Sequence, residues 1–79
     1  QKLTNLRVTE KKPIEELEGV PALVAEAESA LQAEGGRVLL RYSGTEPKIR
    51  LLLEGKHAAA LDAWSEKIIS AIQAQIGEA

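Results

Sequence analysis

The stretch GRVLLRYSGTEPKIRLLLEG, residues 36–55, sets the architecture of the chain. Val38, Leu40 and Tyr42 alternate with Arg37, Leu39, Arg41 and Ser43. Ile49, Leu51 and Leu53 alternate with Lys48, Arg50, Leu52 and Glu54. A period of two places one set on a buried face and the other on an open face, so both halves read as strands. Gly44-Thr45-Glu46-Pro47 reads as the turn between them, and two strands joined by so short a Gly/Pro segment predict a hairpin.

Working outward, Gly35-Gly36 closes an upstream segment in which Leu23, Val24, Ala27, Ala30 and Leu31 form one apolar helical stripe. Pro21 suits the first turn of that helix because it has no N–H to satisfy there. Residues 9–19 are polar, contain Pro13 and Gly19, and read as a connection. Before them, Thr4, Leu6 and Val8 share a face in LTNLRV, residues 3–8, a half-buried strand. Downstream, Leu61, Trp64, Ile68, Ala71, Ile72 and Ile76 fall on one stripe of a helix over residues 57–76, which Gly77 ends. The order is β-α-β-β-α. Two amphipathic helices covering one face of a small, mostly antiparallel sheet make an α+β two-layer sandwich. The sheet has three strands, or four if residues 9–19 supply one.

At 79 residues the chain is a single small domain. It has no cysteine, which excludes disulfides and thiolate metal sites. It has no methionine even at position 1, so residues 1–79 are expected to be one domain of a longer protein. No apolar run reaches the ~20 residues of a membrane span, and no signal-peptide pattern opens the chain. A soluble, cytoplasmic domain without membrane partners is expected. The net charge of −2 gives no general attraction to nucleic acid. Residues 37–56 depart from that balance. They hold Arg37, Arg41, Lys48, Arg50 and Lys56 against Glu46 and Glu54, a local charge of +3. An island this short, without exposed aromatics to stack bases, points to a local anion site rather than to a nucleic-acid surface.

A phosphate monoester has three terminal oxygens and nearly two negative charges. It is matched by planar bidentate donors and several short hydrogen bonds. Arg41 and Arg50 flank the turn, so a hairpin brings them together. Ser43 and Thr45 add hydroxyls. Gly44 admits a left-handed backbone in which successive N–H groups converge on an anion. Pro47 holds Glu46 extended and stiffens the turn. Glu46 opposes an anion unless it pairs with Lys48 or an arginine. An ordinary turn between solvated arginines is the plain alternative.

RYSGTEPKIR, residues 41–50, resembles the phosphate-binding loop of the C-terminal, fourth domain of the α-D-phosphohexomutases. The opening LTNLRVTEKKP, both helices and the hairpin look most like the bacterial phosphoglucosamine mutase branch. The resemblance covers nearly the whole chain. It implies a TATA-binding-protein-like α+β fold. It also implies an enzyme that moves phosphoryl between the 6- and 1-hydroxyls of a hexose, through a phosphoserine in the first domain and Mg²⁺ held by aspartates of the second. The third domain would contact the sugar, and the fourth would grip the phosphate that is not reacting and help close the cleft. By position, that grip is Arg41, Ser43, Gly44, Thr45 and Arg50.

No catalytic residue, metal ligand or cofactor site is expected in this domain, and alone it should be inactive. Its one aspartate, Asp62, lies in a helix. Ser29, Ser65 and Ser70 read as surface or packing residues, His57 and the pair Lys11-Lys12 as solvated, and Trp64 as core. The expected partners are a phosphosugar and the other domains of the same polypeptide. The alternatives are the equivalent domain of a phosphomannomutase or phosphoglucomutase, and a non-enzymatic module docking proteins on the open sheet face around Arg37, Leu39 and Leu52.

Overall fold

The structure, a computed structural model, describes residues 1–78. Strand β1 (Lys2–Arg7) leads through a short 3-10 turn (Ile14–Glu16) into helix α1 (Val20–Gln32). Strands β2 (Arg37–Tyr42) and β3 (Lys48–Glu54) follow, then helix α2 (Ala58–Ile76). The expected element order and two-layer α+β sandwich are observed. The sheet has three strands in the order β1-β3-β2, and both pairings are antiparallel. Residues 9–19 contribute no strand. Beyond the sheet, an isolated antiparallel bridge joins Val8 to Gly77.

The most apolar strand lies in the middle. Ile49, Leu51 and Leu53 of β3 have no solvent exposure. They are flanked by Leu6 of β1 and by Val38, Leu40 and Tyr42 of β2, which pack against the same core. Helix α1 packs over β2, while α2 packs over β1 and β3. Val20, Ala27 and Leu31 of α1 and Leu61, Ile68, Ile72 and Ile76 of α2 close the core.

Several details differ from the sequence reading. Leu17, within the segment read as a polar connection, is fully buried. Helix α1 begins at Val20, itself buried, so Pro21 falls in the first turn as expected. Ala30 is exposed, because the stripe narrows to Val20, Ala27 and Leu31 with Leu23 and Val24 half-buried. On α2 Ser65 is buried along with Leu61, Ile68, Ile72 and Ile76, whereas Trp64 is half-buried. A small side chain lets the helix approach β1, and the Ser65 hydroxyl shares a 2.9 Å hydrogen bond with Thr4 Oγ1, so its burial is satisfied. Trp64 sits half-buried on the flank with the Lys67 ammonium 5.0 Å from its ring centroid, a cation–π contact.

The glycine pair that ends α1 does two jobs. Gly35 takes a left-handed φ of 77°. Its N–H donates to Gln32 C=O (3.0 Å) and that of Gly36 to Leu31 C=O (2.8 Å), the Schellman pattern. Gly36 then lies so close to β3 that an added Cβ would stand 1.9 Å from the Glu54 carbonyl oxygen. Gly77 ends α2 by passing into extended backbone, φ −67° and ψ 144°, which lets it pair with Val8.

Two glutamates tie the ends of these elements together. Glu34 Oε1 accepts the Lys56 N–H at 2.8 Å and lies 3.3 Å from His57 Nδ1. Glu54 pairs with Arg37 across the hairpin. Both carboxyls are held below the ordinary glutamate value of 4.5, Glu34 first by the Lys56 N–H and Glu54 first by the Arg37 hydrogen bond. No helix is long and apolar enough to cross a membrane among the described residues.

Gly36→Ala should destabilise the domain by about 1–3 kcal/mol in urea unfolding, whereas Gly44→Ala, whose Cβ would meet nothing within 4 Å, should change it by less than ~0.5 kcal/mol. A carboxyl whose folded pKa is depressed contributes stability above its unfolded pKa and loses it as pH falls through the folded value. Thermal stability should therefore decline as pH falls from 4.5. In Glu34→Gln that acid decline should be shallower.

Candidate functional site

Because β2 and β3 alternate, their solvent-facing residues form rows across the open face. Leu39, Leu52 and Leu3 form one row. Arg41, Arg50 and Asn5 form the next, nearer the hairpin turn, followed by Lys48 with Arg7. Arg41 is directly opposite Arg50, as the hairpin predicts. Like charges so placed repel, and among the described residues neither guanidinium has a carboxylate partner. Arg37 and Arg7 on the same face are paired, with Glu54 and Glu78. Arg50 Nε donates to Asn5 Oδ1 at 3.2 Å, which orients the side chain without neutralising it. The sheet thus carries two adjacent, exposed cations that lack an anion. Together with Gln1 and the leucine row they line a depression of about 290 Å³. That is at the small end for a ligand pocket, so a sugar phosphate placed here would be only partly enclosed.

The turn, residues 43–47, is built on Ser43. Its N–H donates to Lys48 C=O at 2.9 Å and closes the hairpin. Its Oγ accepts the N–H groups of Thr45 and Glu46 at 3.4 and 3.3 Å. The hydroxyl thereby replaces a main-chain acceptor, and its proton is left as the donor available to a ligand. The Lys48 N–H returns to Glu46 C=O at 2.8 Å across Pro47. Positive φ occurs at Gly19 and Gly35 and not at Gly44, so the left-handed turn expected there is not used. Two of the N–H groups expected to converge on an anion converge on Ser43 Oγ instead. Gly44 and Thr45 are exposed at the tip. Lys48 Nζ lies 3.5 Å from Glu46 Oε2, so the loop carboxylate is paired as anticipated.

Lys11 and Lys12 are not a free solvated pair. Lys11 Nζ donates to the Ser43 carbonyl oxygen at 2.5 Å, and Tyr42 Oη donates to the Lys12 carbonyl oxygen. Burial, then the charge of Glu10, raises the Tyr42 pKa, which keeps the phenol protonated as a donor. Sequence reasoning missed both Lys11 and Asn5. Each sits far along the chain from its partner, and only the pairing of β1 with β3 brings it to the site.

The remaining candidates lie elsewhere. His57 is at the start of α2 beside Glu34. Ser29 and Ser70 are exposed on helices. Asp62 pairs with Lys2 at 3.2 Å. No group of three potential ligands suited to a metal ion occurs among the described residues.

Fold and site define a small α+β domain that presents paired, unneutralised arginines beside a Ser-Gly-Thr turn. The family model for the phosphoglucomutase/phosphomannomutase C-terminal domain matches residues 3–71, and the chain belongs to this family. Three of its curated relatives are each named phosphoglucosamine mutase. That of Wolinella succinogenes is 48% identical over 77 residues, 98% of this chain and 16% of that protein. That of Pelobacter propionicus is 45% identical over 78 residues, 99% of this chain and 17% of that protein. That of a Sulfurovum species is 56% identical over 62 residues, 78% of this chain and 13% of that protein. The chain spans about a sixth of the length of the first two.

Replacing the hydroxyl that organises the turn should loosen it locally. Ser43→Ala should speed hydrogen exchange at the Thr45 and Glu46 amides while leaving global stability within ~0.5 kcal/mol.

Proposed function

We propose that residues 1–79 are the phosphate-gripping C-terminal domain of a cytoplasmic phosphoglucosamine mutase that interconverts glucosamine 6-phosphate and glucosamine 1-phosphate. The observation that carries this reading is the Arg41–Arg50 pair, set in register on adjacent strands without a carboxylate partner. Two guanidinium forks and the Ser43 and Thr45 hydroxyls match a phosphate monoester. The Gly44 N–H adds a main-chain donor. The family match and the names of the relatives support the choice of reaction and substrate.

In this reading the domain holds the phosphate that is not reacting. Binding energy from that remote group positions the sugar hydroxyl for phosphoryl transfer elsewhere in the enzyme. The open depression suits the task. It reads the phosphate and encloses little of the sugar, so it accepts the ligand in either orientation. The phosphoserine and a Mg²⁺ ion belong, in this reading, to other domains of the same polypeptide, and the isolated domain is inactive. Closure of this domain over the cleft would exclude water from the reacting phosphate.

The exposed leucine row gives a second reading some support. Leu3 is 54% and Leu39 38% exposed, and a protein-docking module would use such a face.

Titration with inorganic phosphate or glucosamine 6-phosphate, followed by amide NMR, should move residues 43–46 first. Arg41→Ala and Arg50→Ala should each weaken binding by roughly tenfold or more. Charge reversal at Arg41 separates the readings: loss of the phosphate response supports the grip, and an unchanged response with lost protein binding supports the module.

A further inference from the structure

The segment leaving β1 frames the turn from both ends. The Val8 N–H donates to the Pro47 carbonyl at 2.8 Å, and Lys11 Nζ donates to that of Ser43 at 2.5 Å. The backbone carrying Lys11 is itself held on either side. The Thr9 N–H donates to Ile76 C=O at 2.8 Å, and the Lys12 carbonyl accepts the Tyr42 hydroxyl. Lys11 is therefore presented to the turn from an anchored position, and only its side chain must be ordered to make the contact.

That contact fixes a peptide plane. In a planar trans peptide the C=O and the following N–H point in opposite directions, and no cis bond occurs among the described residues. Holding the Ser43 oxygen toward Lys11 turns the Gly44 N–H away from it. Within the turn, the N–H groups of Ser43, Thr45, Glu46 and Lys48 are all engaged. Pro47 has none, and the Gly44 N–H has no partner among the described residues. A cation bonded to the carbonyl of the same peptide also polarises its N–H and makes it a stronger donor.

We infer that Lys11 is a positioning residue of the turn, orienting the Ser43–Gly44 peptide so that the Gly44 N–H is presented to a bound phosphate. The inference rests on the phosphate-binding reading of this loop. Lys11 touches the main chain of Ser43 and acts through it.

The test is a titration of the ¹⁵N-labelled chain with inorganic phosphate, comparing the parent with Lys11→Met and Lys11→Arg. Circular dichroism establishes that each variant is folded, with Lys11→Gln replacing Lys11→Met if it is not. In the parent, the Gly44 amide should shift furthest. Lys11→Met should weaken binding by roughly three- to tenfold and shrink the Gly44 shift relative to that of Thr45. Lys11→Arg should restore most of both. Lower affinity with an unchanged share of the response at Gly44 would mean that Lys11 acts by its charge alone, and overturns the positioning role. A Gly44 response unchanged in Lys11→Met overturns the role of Lys11 and leaves the phosphate loop standing, as does a loss that Lys11→Arg does not repair. Absence of any phosphate response at residues 43–46 in the parent overturns the loop reading itself, and the role of Lys11 with it.

Discussion

The alternation of the central strand governs this molecule. Ile49, Leu51 and Leu53 must leave water together, and they do so by drawing a strand to each side of β3 and two helices onto one face. Because neighbouring side chains on a strand point to opposite faces, burying those three fixes Arg50 on the other side. Pairing with β2 then leaves Arg41 nowhere to stand except beside it. A slip of one residue would bury arginine and expose leucine, so the geometry of the cation pair is enforced by the hydrophobic core. The charged site costs the sheet some repulsion, and the core supplies the register that sustains it.

The parts of the fold legible in the sequence are those governed by local period. The hairpin, the two helices and their order follow from alternation and from stripes of 3.6-residue spacing. Where a long-range contact decides the outcome, the local period does not carry it. Ser65 can be buried on α2 because Thr4, sixty-one positions away, offers its hydroxyl a partner. Leu17 lies in a segment whose composition reads as a polar connection, and its burial depends on where α1 settles. Trp64 follows the helical stripe and packs against the core, but it remains half-buried.

The candidate site divides in the same way. Arg41 and Arg50 are near neighbours in a hairpin and could be paired from sequence. Ser43, Gly44 and Thr45 are candidates by their chemistry, and the turn that carries them is organised by the Ser43 hydroxyl rather than by a left-handed glycine. Asn5 and Lys11 carry no local signal. They reach the loop only because the first strand pairs with the third, a choice of neighbour that periodicity does not encode.

The bridge between Val8 and Gly77 makes the end of the last helix part of the loop's scaffold. Arg7 accepts from Glu78, Val8 donates to Pro47 and Thr9 donates to Ile76, so three consecutive residues are bonded alternately to the helix end and to the turn. Local opening of the final turn of α2 removes two of the restraints that keep Val8 in place. The order of the exposed loop therefore cannot be a property of residues 43–47 alone. Loop and helix end are linked through Val8, so the two share restraints in one locally cooperative unit.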